Sequence, residues 1–303
     1  MAAGLHISIS AEKIASIGGL NISNSIFTSL IVSFLLILFA LLASSKLKST
    51  TKPKGLQNLV EFVIEALDGL VMSVTNDLKK SRQFFPFIAT FLIFILANNW
   101  FGLLPGVGTI GFLESSEETT HAQLLPSSTQ LQFDSLQAQA STTTTAQAGQ
   151  TASGEKVSAA EPTEEKEAAA PTFVPYLRAG TADLNTTLAL GLISIFLTQM
   201  FGFMYQKLGY LTKFFNFSNP IMFFVGLLEL ISEIAKIISF AFRLFGNIFA
   251  GEVLLAVIGS LAALVVPMPF YGLEIFVGFI QALVFAMLSV VFFNMATLGH
   301  SDH

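Results

Sequence analysis

Residues 237–266 read IISFAFRLFGNIFAGEVLLAVIGSLAALVV, part of a longer apolar run with Arg243 near the middle of its first helix and Glu252 further along. The run begins upstream at Pro220 and continues past Pro267-Met-Pro269 to Met295. The proline break divides it into two helices, 221–266 and 270–298. The first, if continuous, has about 46 residues and measures on the order of 69 Å at 1.5 Å per residue. A bilayer core is only about 30 Å thick. A helix that long must tilt, bend or emerge into the interface.

Working outward, three further stretches are long and apolar enough to span: Ile26 to Ala43, Phe84 to Leu104 and Leu184 to Tyr205. The expectation is an all-α polytopic membrane protein with five transmembrane helices. Composition agrees: 53% of the 303 residues are hydrophobic and 12% charged, with 31 Phe and a mean hydropathy of +0.70. Soluble chains keep roughly a quarter of their residues charged. The absence of cysteine excludes disulfides, thiolate chemistry and cysteine metal sites. No segment has the basic density of a nucleic-acid surface, and no glycine-rich nucleotide loop is present. Ser25 to Ala43 is not preceded by a basic segment and is expected to be a retained helix, not a signal peptide.

Residues 55–78 differ. Leu56, Leu59, Val60, Val63, Ile64, Leu67, Leu70, Val71 and Val74 recur every three or four residues, opposite Glu61, Glu65 and Asp68. This pattern predicts an amphipathic helix on a membrane surface or partner. Lys46, Lys48, Lys52, Lys54, Lys79, Lys80 and Arg82 flank it, and Lys207 and Lys213 follow the third span. The excess of Lys and Arg places both loops in the cytoplasm, with the N-terminal tail (1–24) outside and the C-terminus inside. The chain then divides into 25–113 with the first two spans, a 114–181 outer loop, and 182–303 with the last three. The 114–181 loop is low in complexity and rich in Ala, Gln, Thr, Ser and Glu. It is expected to be disordered.

Ionisable side chains within spanning helices mark functional positions by default. The long helix carries Glu229, Glu233, Lys236, Arg243 and Glu252, and the last helix Glu274 and Gln281. Arg243 is a permanent cation; Asn247 one turn on, or a carboxylate of the bundle, could satisfy it. Glu252 lies about 13–14 Å further along the axis. If the last helix runs antiparallel, Glu274 falls at the depth of Glu252, and Gln281 near that of Arg243. Glu229 and Glu233 lie on the other side. Carboxylates on both sides of a central cation describe two aqueous half-pathways with a barrier between them. Lys236 and Glu233 are spaced for a structural salt bridge.

Arg-Leu-Phe-Gly-Asn-Ile-Phe-Ala-Gly-Glu252 resembles the hallmark of subunit a of the rotary F-type ATP synthase. The resemblance extends to Asn98-Asn-Trp-Phe-Gly-Leu-Leu-Pro105, Ala182-Asp-Leu-Asn-Thr-Thr-Leu, Gln281 and Glu229. It implies a stator that hydrolyses no ATP itself, with its last two helices tilted against a ring of c subunits. It also implies a b-subunit peripheral stalk, a bacterial inner membrane, no cofactor, and protons or sodium ions as the cargo. Arg243 would hold each passing ring carboxylate ionised and block a leak, because a nearby cation favours the charged carboxylate. Glu252 and Glu274 would line the outer half-channel and Glu229 the cytoplasmic one. Some members have histidine at the position of Glu274, and the 114–181 insertion is not part of the common pattern. Asp183 and Asn185 are open to either a family role or a plain interface role. The competing readings are a secondary transporter with a midplane anion site and a structural assembly subunit; neither accounts for the arginine motif.

Overall fold

The structure, a computed structural model, describes residues 11–17, 20–46, 55–108, 110–114, 172–214, 220–261 and 265–298. Among the described residues there are six α-helices and two short two-stranded sheets. Strands β1 (Lys13–Ile17) and β2 (Leu20–Ser23) pair antiparallel, within what the sequence reading treated as a tail. Helices α1 (Asn24–Lys46), α2 (Leu56–Thr75) and α3 (Leu78–Gly102) follow. Strands β3 (Gly111–Glu114) and β4 (Thr172–Pro175) form a second two-stranded sheet. After a 3-10 turn at Gly180–Ala182 come α4 (Leu184–Gln206), a second 3-10 segment at Lys207–Lys213, α5 (Pro220–Leu261) and α6 (Pro267–Thr297). Residues Leu113–Val174 group as a unit separate from the remainder.

The expected loop therefore needs a correction at its far end. Residues 172–181 take up strand, extended and 3-10 conformation, and Arg178, Gly180 and Thr181 are buried. Residues 115–171 lie outside the described residues. Helix ends also shift for local reasons. Asn76 adopts the left-handed conformation (φ 49°) and stops α2, and the Asp77 carboxylate accepts from the Lys79 N–H at 2.8 Å to start α3. The Pro267-Met-Pro269 break falls inside the first turn of α6, where a missing N–H costs no helix bond.

Among the described residues, four helices are long and apolar enough to cross a membrane: α1 up to Ser44, α3, α4 and α6. Helix α5 is 42 residues long and carries the five ionisable side chains. The stripe of α2 packs only through its later turns: Leu67 and Val71 are buried, while Leu59, Phe62, Val63 and Ile64 are exposed. Asn294 of α6 donates to the Val74 carbonyl at 3.1 Å, and Ser81 of α3 to Asp68 at 3.3 Å.

Lipid is as apolar as leucine, so membrane helices are held by close packing and interhelical hydrogen bonds. Phe84, Phe201 and Phe293 bring α3, α4 and α6 together at ring distances of 4.8–5.5 Å. Phe285 of α6 sits between Phe91 of α3 (5.4 Å) and Phe240 of α5 (4.7 Å). Ser194 of α4 and Ser289 of α6 share a buried hydrogen bond of 2.8 Å. Gly191 of α4 faces the backbone of α5: a Cβ there would lie 3.1 Å from the Ile237 carbonyl oxygen.

These contacts set the directions. Gly251 backs onto Glu274, Phe240 onto Phe285, and the Lys236 ammonium lies 5.0 Å from the Phe292 ring centre, so α5 and α6 run antiparallel with one step up matched by one step down. Asn99 with Gly278 and Phe84 with Phe293 make α3 antiparallel to α6 as well. One end of the bundle thus holds Asn98, Asn99, Glu252 and Glu274. The opposite end holds Gln83, Gln206, Glu229 and Asn294.

We predict that Gly191→Leu separates α4 from α5. Overpacking of this kind costs about 1–3 kcal/mol, to be read as a lower melting temperature of the detergent-solubilised protein; an unchanged value would show that the close approach is dispensable.

Candidate functional site

The ionisable residues sort into three levels along α5. At the Asn99 end, the Arg178 Nε–H donates to both carboxylate oxygens of Glu252, each at 3.0 Å. Arg178 is 7% exposed and Glu252 39%. The arginine is delivered by the segment before α4, whose backbone is tied down. Its own N–H donates to the Thr28 hydroxyl at 3.2 Å, and Gly180 leaves no room for a Cβ against Ser29 and Asn98.

Glu274 is buried beside this pair. Its carboxylate lies where a side chain on Gly251 would have to go, so glycine at 251 creates the space that Glu274 fills. Among the described residues Glu274 has no ion pair or hydrogen bond. Its depth is set by backbone clamps on α6: Asn99 Nδ2 donates to the Gly278 carbonyl at 3.0 Å, and Trp100 Nε1 to the Ile275 carbonyl at 3.1 Å. Thr181 donates in turn to Asn99 Oδ1 at 2.5 Å. Glu274 thus lies at the depth of Glu252, as its spacing implies, but Glu252 is engaged by Arg178, a cation from the segment expected to be disordered.

At the middle level Arg243 is exposed, with no ion pair or hydrogen bond of its guanidinium among the described residues. Asn247 is exposed too, and its Nδ2 donates to the Arg243 carbonyl at 3.0 Å. The amide therefore serves the helix backbone and does not satisfy the guanidinium. By the matched stepping of α5 and α6, Arg243 falls at the level of Ala282, beside half-buried Gln281. Ser232, Ala235, Ser239, Gly246 and Ala250 are exposed on the same side of α5. Arg243 therefore stands on an outward face of small residues.

At the far end, Lys213 lies 2.6 Å from Glu229 and 3.8 Å from Glu233. The spaced pair is realised, with Lys236 donating to Glu233 at 2.8 Å. The other Glu233 oxygen is buried without a hydrogen-bond partner among the described residues. Tyr210 is wedged beside this group: its ring fills the notch left by Gly202 and its hydroxyl donates to Gln199 at 2.7 Å.

Asp183 resolves as an architectural group. It caps α4 through the Asn185 N–H at 3.0 Å and accepts from the Ser25 hydroxyl at 2.7 Å. Asn185 itself is exposed.

Residues 26–294 match the family described as ATP synthase A chain. The chain belongs to this family. The matched span runs from the start of α1 to the last turn of α6 and so takes in all three levels. Among its relatives, ATP synthase subunit a of Syntrophobacter fumaroxidans is 26% identical over 294 residues, covering 96% of this chain and 90% of the relative. ATP synthase subunit a of Trichlorobacter lovleyi is also 26% identical, over 273 residues, covering 89% and 85%.

Three residues at these levels were missed from sequence: Arg178, Lys213 and Tyr210. Lys213 was read only as a topology charge. Arg178 was hidden by the composition around it, although the run Pro175-Tyr-Leu-Arg178 leading into Ala182-Asp183 breaks the Ala/Gln/Thr pattern.

Burial, then the negative charges of Glu233 and Glu229, push the Tyr210 hydroxyl up from 10.0 to about 12. The folded state then keeps this proton where the unfolded chain loses it. The tyrosine's contribution to stability is complete below pH 10 and declines as pH rises toward 12. We predict a tyrosinate absorbance step near pH 12 that Tyr210→Phe removes; a step at 10 would mean the notch is open to water.

Proposed function

We propose that this chain is the ion-translocating stator subunit of the Fo sector, with α5 as a fifth span and α2 at the membrane surface. A c-ring passes over the outward face of α5, and a peripheral stalk of b subunits holds the chain still. Membership of the ATP synthase A chain family supports the coarse reading of a membrane subunit of that complex. The single observation that carries the finer one is Arg243, exposed and unpaired among the described residues, between two charged ends.

A permanent cation on the outside of a helix bundle in lipid requires a negative partner from elsewhere. Small residues around it let a second helix approach closely. A membrane carboxylate on a ring subunit meets both conditions. Protons would reach the ring from the Glu252 and Glu274 level and leave past Glu229. Arg243, with Gln281 and Asn247 at its depth, would keep the passing carboxylate charged and separate the two half-paths. Each proton falling through 100 mV delivers about 2.3 kcal/mol, so several are needed for each ATP. The excess of Lys and Arg in the loops supports a Glu229 end on the cytoplasmic side and an N-terminal side outside, in what we read as a bacterial inner membrane. A transporter with a midplane anion site would enclose the arginine between repeats, whereas Arg243 faces outward.

We predict that Arg243→Ala abolishes ATP-driven proton pumping in membrane vesicles and raises passive proton leak, with the assembled complex still present on a native gel. Normally coupled pumping in this variant would sink the assignment of Arg243 as barrier.

A further inference from the structure

We propose that Arg178 is a positioning residue of the ion path: it pins Glu252 as a fixed counter-charge and leaves Glu274 as the carboxylate that takes up and passes on protons. This inference rests on the function proposed above.

Three observations carry it. First, Arg178 sits on a prepared mount. The segment before α4 is held to α1 by Thr28 and packed through Gly180 against Ser29 and Asn98, and the arginine is 7% exposed. Second, its Nε–H is shared equally between the two oxygens of Glu252, at 3.0 Å each. A guanidinium cannot give up its own proton. A proton arriving on Glu252 would have to displace this ion pair and weaken the compensation of a largely buried cation. Third, Glu274 carries no such contact among the described residues, and it fills the gap at Gly251 immediately before Glu252 in the chain.

The two acids at this level thus do different work. Glu274 accepts a proton from water at its end of the bundle, forming a carboxyl O–H bond. It then breaks that bond as the proton moves on to the ring carboxylate. Arg178 and Glu252 keep their charges throughout. Each time Glu274 is ionised, Arg178 cancels the second negative charge that Glu252 would otherwise set against it.

The test is a double-mutant cycle in the assembled complex, reading ATP-driven proton pumping in vesicles per complex on a native gel. Arg178→Gln and Glu252→Gln should each impair pumping by breaking the ion pair between them, and the double variant should pump better than either. A coupling of about tenfold is the middle of the range for contacting groups. Glu274→Gln should stop pumping with or without the pair. Arg178→Lys, which keeps the charge but not the planar group, should lie between wild type and Arg178→Gln. If the double variant pumps no better than Glu252→Gln, Glu252 is itself a carrier and the inference is overturned. Restored assembly without restored pumping overturns it too, by making the pair purely structural. Arg243→Ala runs alongside: if that variant still pumps with normal coupling, the underlying reading of the function has failed, independently of the Arg178 result.

Discussion

The close approach of α5 to α6 at Gly251 is the contact on which the rest of the arrangement depends. The missing side chain admits the Glu274 carboxylate. That contact fixes the antiparallel register which Phe240 and Phe285 continue. Once the register is set, the depth of every ionisable group on α5 relative to α6 follows. A bulkier residue at 251 would meet the Glu274 carboxylate and force it to move.

Charge inside an apolar bundle is tolerable where it is paired or faces water or a partner. The two ends of α5 use the first solution. Each supplies a cation from an irregular segment beside α4: Arg178 before it, for Glu252, and Lys213 after it, for Glu229 and Glu233. Arg243 differs because nothing in the described chain meets its guanidinium. On α5 itself, the groups at the two ends are paired and the one at the centre is not, among the described residues.

The architecture also explains why short polar segments matter in so apolar a chain. Asn98, Asn99 and Trp100 end α3 and spend their side-chain donors on carbonyls of α3 and α6. Asp183 caps α4 and ties it to α1. These bonds gather at the end of the bundle that also holds Glu252 and Glu274. With no hydrophobic drive between helices in lipid, such bonds do much of the work of holding them in place.

Hydropathy alone determined the helical membrane class, the spans of α1, α3, α4 and α6, the amphipathic α2 and the residues worth suspecting on α5. Each of these is a local property: run length, periodicity, or the cost of a charge in lipid. The spacing of Glu274 and Gln281 even anticipated their depths, because an antiparallel helix has a fixed rise. The structure alone decided which groups meet. Arg178 reaches Glu252 from a segment whose composition suggested disorder, and Asn247 turns to the Arg243 carbonyl although its spacing suggested the guanidinium. The stripe of α2 is buried only where α3 and α6 cover it. A side chain's partner is set by where distant segments come together, and no local pattern encodes that.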